Sequence, residues 1–127
     1  MNKLVDEWIA KAEADYHTAL REYRARKFPN YDACVFHAQQ CIEKYLKAIL
    51  QQQNIPFGKT HDLLALQKLM KRRIYDLELH REHLAYLNQY AVAYRYPGES
   101  ATREDAKRAV RIMKEVRLIL LKILQSP

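Results

Sequence analysis

The chain has 127 residues, enough for one domain spanning residues 1–127 with a genuine hydrophobic core. It is 49% hydrophobic yet holds only two Gly and four Pro, a balance that favours helices over a strand-and-turn fold. Lys and Arg outnumber Asp and Glu by 22 to 15, and the resulting +7 charge draws phosphate-bearing partners at long range, although many ordinary basic proteins share it.

No apolar run approaches the ~20 residues needed to cross a bilayer, and the opening MNKLVDEW does not read as a signal peptide. The expectation is a cytoplasmic protein with no membrane partner.

The first predicted helix runs from about Lys3 to Lys27, where Leu4, Trp8, Ala12, Tyr16, Ala19 and Tyr23 recur at helical spacing. Phe28-Pro29-Asn30 ends it, and Asn30 is placed to cap a second helix from about Tyr31 to Gln53. On a wheel at about 100° per residue, Cys34, Val35, Ala38, Cys41, Ile42, Tyr45, Leu46 and Ile49 form its apolar half. His37, Gln40, Glu43, Lys44 and Lys47 gather opposite, which reads as a solvated face carrying an i,i+4 Glu43–Lys47 pair. Cys34 and Cys41 lie about 10 Å apart on this helix, too far for a disulfide between them, and are expected as buried thiols.

After the loop from Asn54 to Lys59, Thr60 is expected to cap a third helix from about His61 to Lys71. The stretch from Arg72 to Leu79 reads equally as a turn or a continuation. A fourth helix is expected from about His80 to Tyr94, stopped by Tyr96-Pro97-Gly98. Its apolar face, Leu84, Leu87, Ala91 and Tyr94, also carries Asn88 and Arg95. An inward guanidinium needs a partner, because an unpaired buried charge is costly. Arg95 therefore either clamps a carboxylate such as Asp15 or Glu43, or meets a phosphate in a polar cleft; the sequence admits both.

Thr102 to Asp105 resembles a capping box and opens a last helix to about Leu124. Apolar residues occupy more than half its circumference, more than a one-sided contact needs. A homodimer interface is the simplest outlet; a central position within the monomer is the alternative. No segment alternates with period two. The architecture expected is all-α, an up-and-down antiparallel bundle of four or five helices that dimerises.

Taken together, FHAQQCIEKYLKAIL, THDLLAL and LNQYAVAYRYPGES with the closing amphipathic helix strongly resemble the HEPN (higher eukaryotes and prokaryotes nucleotide-binding) domain. The match runs over essentially the whole chain, with Gln39, Gln40, Glu43 and Lys44 as its most specific block. Trp8, Ala12, Asp15, His61-Asp62-Leu63 and Arg95-Tyr96-Pro97 support it in order. The resemblance implies a dimerising helical bundle of the stand-alone prokaryotic type. It further implies a separate small nucleotidyltransferase as partner in a toxin–antitoxin-like pair, and nucleotide or RNA phosphates as ligand. Lys44, Lys47, Arg95 and Tyr96 would then face the phosphates, with Gln40 and Glu43 positioning them. A purely structural assembly platform is a further reading.

One branch of that family comprises metal-independent ribonucleases with an Arg, four to six residues, then a His. Arg73 and His80 satisfy this with six residues between them, the His as acid or base and the Arg stabilising the pentavalent phosphate. Such a spacing also arises by chance in an arginine-rich chain, and Ile74 stands where the pattern tends to be polar. Phe57-Gly58-Lys59-Thr60 is not a phosphate-binding P-loop, since Gln53 replaces its first glycine and no strand precedes it. His61 is expected to hydrogen-bond structurally. His80 and His83 are one turn apart but show no third ligand, so neither a metal site nor a cofactor is expected. Two basic clusters remain: Lys68, Lys71, Arg72, Arg73 and Arg81 around the third connection, and Lys107, Arg108, Arg111, Lys114 and Lys122 on the last helix. Cations so grouped suit phosphates without reading sequence.

Overall fold

Side-chain caps set most of the helix starts in the computed structural model, which describes residues 2–93 and 96–126. Asn2 accepts from the Leu4 and Val5 amides and opens α1 (Lys3–Arg24). Asn30 accepts from the Ala33 amide and opens α2 (Tyr31–Gln52). Asp62 accepts from Leu64 and Ala65 and opens α3 (Leu63–Leu69). Two short helices without side-chain caps follow, α4 (Tyr75–Glu78) and α5 (Arg81–Asn88). The capping box of Thr102 and Asp105 then opens α6 (Arg103–Gln125). There is no strand among the described residues, and no helix there is long and apolar enough to cross a membrane.

Two boundaries differ from expectation. Asp62, not Thr60, caps α3, because a carboxylate is the stronger acceptor for free helix N–H groups. Thr60 instead accepts from the Asp62 amide at 3.2 Å. The fourth helix stops at Asn88 rather than Tyr94. There the Asn88 amide bridges to α3, accepting from the Leu63 N–H and donating to Asp62 Oδ1, both at 2.9 Å. A side chain that completes another helix's start overrides the apolar pattern beyond it. Residues 94 and 95 lie outside the described residues, so the expected inward direction of Arg95 does too.

The long-range hydrogen bonds define the topology. Glu13 meets Tyr45 and Glu22 meets Asn30, so α1 and α2 are antiparallel. Asp32 holds Ala101 and Gln52 holds Leu124, so α2 and α6 run the same way. The chain returns between them through the extended segment after α2 and, after α3, through α4 and α5. Phe57 lies against Trp8, and His61 reaches back to Glu43. The chain path thus alternates up and down as expected, with one return made by a loop, so that α3 runs the same way as α2, and another by short pieces.

The central element is α2. Thirteen of its 22 residues are buried, against α1 on one side and α6 on the other. Cys34 and Cys41 are fully buried free thiols; burial pushes Cys34 up to about 12 and Cys41 well above the usual thiol range. Most of the apolar excess of α6 packs inside the chain, through Ala106, Ala109, Ile112, Met113, Val116 and Leu120. What stays outside is at its C-terminal half, where Leu118 is 58% exposed and Ile119, Leu121 and Ile123 are only partly covered.

Candidate functional site

The polar side of α2 is not a solvated face. The wheel separates polar from apolar correctly, but α1 and the segment around Phe57 and His61 cover the polar half. Gln39, Glu43 and Lys47 are buried, and His37, Gln40 and Lys44 are half-buried. Each charge brought inside is matched, as the several-kcal/mol penalty for an unpaired buried ion demands (of order 3–5 kcal/mol when one partner is removed).

Three clusters do the matching. In the first, the Glu43 carboxylate is only 3% exposed. Oε2 takes the Lys47 ammonium at 3.0 Å, and Oε1 meets His61 Nδ1 at 3.0 Å. The amides of Gln39 and Gln40 donate to the same Oε1 at 3.4 and 3.3 Å. Gln39 also donates to the His61 carbonyl at 2.9 Å, which ties the start of the α3 segment to α2. Trp8 and Phe57, in edge contact, sit 5.6 and 6.0 Å from the Lys47 ammonium and shield it with their ring faces.

In the second cluster, buried Asp15 of α1 receives Lys44 at 2.6 Å and His37 Nδ1 at 2.7 Å. In the third, Arg117 of α6 forms a bidentate pair with Glu13, both contacts 2.7 Å, while the Tyr45 hydroxyl donates to Glu13 and Tyr16 lies 4.2 Å under the guanidinium. Arg117 holds the Glu13 carboxyl below its ordinary range. Burial, then the Glu13 bond, pushes the Tyr45 hydroxyl up. This cluster joins α1, α2 and α6 at one point.

The structure therefore brings Gln40, Glu43 and Lys47 together, assigns Lys44 to a different cluster, and leaves Tyr96 at the surface, 64% exposed. The Lys44 and Lys47 ammonium groups face carboxylates of the same chain. Arg73 lines a groove of about 330 Å³ with Lys68, Arg72 and Arg81, and His80 is not part of that groove. The His80 ring turns instead to the Asp76 carbonyl, at 2.9 Å, and toward Glu115 of α6, at 3.5 Å.

A larger groove, about 690 Å³, runs along the first half of α6. Lys107, Arg108, Arg111 and Lys114 line it with Tyr23 and Tyr86, and the Arg108 guanidinium stacks 4.1 Å from the Tyr86 ring. Among the described residues none of these four cations has an ion-pair partner. Glu104 and Asp105 also border the groove; the Asp105 carboxylate is held by the Thr102 amide, and neither acid forms an ion pair with the four cations. Lys122, grouped with these residues by spacing, lies in a separate groove beside Arg72 and Ile119. The aromatic walls have no signal in the local sequence, since Tyr23 comes from α1 and Tyr86 from α5.

A helical bundle whose central helix carries a Gln-Gln-x-x-Glu-Lys block as an internal polar seam is what the fold and site define. The family model for the HEPN domain matches residues 5–124, and the chain belongs to that family. The crystal structure of an archaeal HEPN homologue is similar in fold, with a TM-score of 0.70 and 24% identity, covering 99% of this chain and 98% of that one. Among curated proteins none matches the chain.

The seam carries two predictions. Glu43→Ala leaves Lys47 buried and unpaired and should destabilise the fold by about 3–5 kcal/mol in chemical denaturation; combining Glu43→Leu with Lys47→Met should recover much of that deficit. Glu13 titrates below its unfolded value of 4.5, so it stabilises the fold above that pH and the contribution is lost as pH falls through the lowered folded value. Urea melts from pH 7 down to 3 should show Glu13→Gln losing less stability with acid than the wild type does.

Proposed function

We propose that this HEPN chain is a binding module that engages the phosphates of a nucleotide or RNA through the α6 groove, and that it works as a homodimer beside a separate small nucleotidyltransferase chain. The observation that carries the phosphate reading is a division of the cations. Lys44, Lys47 and Arg117 are neutralised inside the bundle, whereas Lys107, Arg108, Arg111 and Lys114 share one groove with no carboxylate paired to them among the described residues. Guanidinium groups suit phosphate oxygens, and tyrosine faces suit unstacked bases. Tyr23 lines the groove wall, and the Arg108 guanidinium stacked on Tyr86 adds a second flat surface there. Arg95 and Tyr96 form a second phosphate-side candidate in this reading.

The partner enzyme is read from family membership, and the homodimer from the apolar strip around Leu118 that one copy leaves uncovered. Catalysis through Arg73 and His80 is the weaker reading, because Arg73 lines its groove without His80.

Fluorescence anisotropy with a labelled short RNA, and with ATP or GTP as competitors, tests the groove. Arg108→Ala combined with Arg111→Ala should weaken binding at least about tenfold and lower the salt slope by roughly two, since each guanidinium neutralises about one phosphate. Equal affinity for wild type and double variant would remove the groove, and the same titration of Arg95→Ala decides the second candidate. RNA cleavage in EDTA that His80→Ala abolishes would replace the binding reading with the enzymatic one. Multi-angle light scattering should give a dimer for the wild type and a monomer for Leu118→Glu, because a charge at the centre of an apolar contact is costly to bury.

A further inference from the structure

His80 sits at the N-cap position of α5 without capping it, since its side chain makes no bond to the helix's free amides. Its Nδ1 instead lies 2.9 Å from the Asp76 carbonyl oxygen. A carbonyl only accepts, so Nδ1 carries the proton and Nε2 is left with its lone pair. That lone pair points toward Glu115 Oε2, 3.5 Å away. One turn along α5, His83 places its ring 5.0 Å from that of His80, and its Nδ1 is buried without a hydrogen-bond partner. One ligand atom from each of His80, His83 and Glu115 lies within 4.8 Å of the others.

An ion pair between His80 and Glu115 alone accounts for this poorly. A charge-assisted N–H···O bond closes to about 2.7–2.9 Å, and this one stays at 3.5 Å. It also leaves the His83 nitrogen unsatisfied, which natural interiors generally avoid. A cation between the three groups accounts for the open His80–Glu115 separation and gives a His83 ring nitrogen a partner. The Asp76 carbonyl then has the role that an outer-shell acceptor has at metal sites: it fixes the ring orientation and leaves the other nitrogen free to coordinate.

We propose that His80, His83 and Glu115 form a divalent transition-metal site that links the start of α5 to the middle of α6. Two neutral imidazoles and one carboxylate favour Zn²⁺, with Ni²⁺ and Cu²⁺ as competitors, and disfavour Mg²⁺ and Ca²⁺, which take oxygen ligands. Tetrahedral bonds of about 2.0–2.2 Å put ligand atoms roughly 3.3–3.6 Å apart, so the groups close by up to about 1.5 Å on binding. Glu115, with its side chain 48% exposed, has the freedom to make that movement. Three protein ligands leave the fourth position to water on the solvent side. None of the three residues lines the α6 groove, so the site stands or falls separately from phosphate binding.

Isothermal titration of the full chain with ZnCl₂, and visible absorption with CoCl₂ as a spectroscopic substitute, test the site. One ion per chain is expected, with the intense Co²⁺ bands of a four-coordinate site and a concentration-dependent rise in Tm. Glu115→Gln, at an exposed position where folding is undisturbed, and His83→Ala should each weaken Zn²⁺ binding at least about tenfold. His17→Ala, an exposed histidine elsewhere on the surface, should leave it unchanged. MgCl₂ should produce no Tm rise. Absence of Zn²⁺ binding by the wild type, or affinity insensitive to Glu115→Gln, overturns the proposal.

Discussion

A carboxylate with almost no water around it has to be satisfied from every side, and in this bundle that constraint falls on Glu43. Lys47 lies one turn below it, two glutamine amides above it, and a histidine from another segment closes the remaining direction. Because the histidine and the carbonyl bonded by Gln39 belong to the run into α3, the packing of that run is set by α2. The ring faces of Trp8 and Phe57 complete the enclosure, so α1, α2 and the return loop share one polar core. A low-dielectric setting strengthens each of these bonds and makes removing any one of them expensive.

The same logic repeats along the molecule at Asp15 and at Glu13. Each carboxylate of α1 captures a cation from a neighbouring helix, which fixes the rotation of α1 about its axis as well as its height against α2. Apolar contacts alone specify such register weakly, because Ala, Leu and Ile surfaces slide with little change in buried area. Paired groups that must meet within about 3 Å do not slide. A buried pair adds less to net stability than its Coulomb energy suggests, so specificity of register is the more natural consequence here.

Charge outside the bundle is organised differently. The internal clusters use acids and bases in near balance, so the net positive charge falls largely on the surface. On α6 four of those cations are concentrated in one groove between helices, where walls of lower dielectric focus their field. Farther down the same helix the surface turns apolar around Leu118, and between the two stands Glu115, facing the histidines of α5. One helix thereby offers three chemically distinct surfaces along its length.

Composition and periodicity by themselves determined the all-helical class, the limits of α1, α2 and α6 to within a few residues, and the caps at Asn30 and Thr102. These are local properties: a capping side chain lies within three residues of the amides it satisfies, and an apolar stripe repeats within one turn. The HEPN pattern was legible for the same reason, as short blocks in a set order. Tertiary structure alone decided what the polar half of α2 faces, because whether a helix face meets water or another segment depends on residues such as Asp15, Trp8 and His61 that are distant in the chain. It also ended α5 at Asn88 through a bond to α3, and it brought Glu115 to His80 and His83 from a helix far along the chain. A wheel drawn on one helix holds no information about its neighbours, and burial, pairing and ligand sets are properties of neighbours.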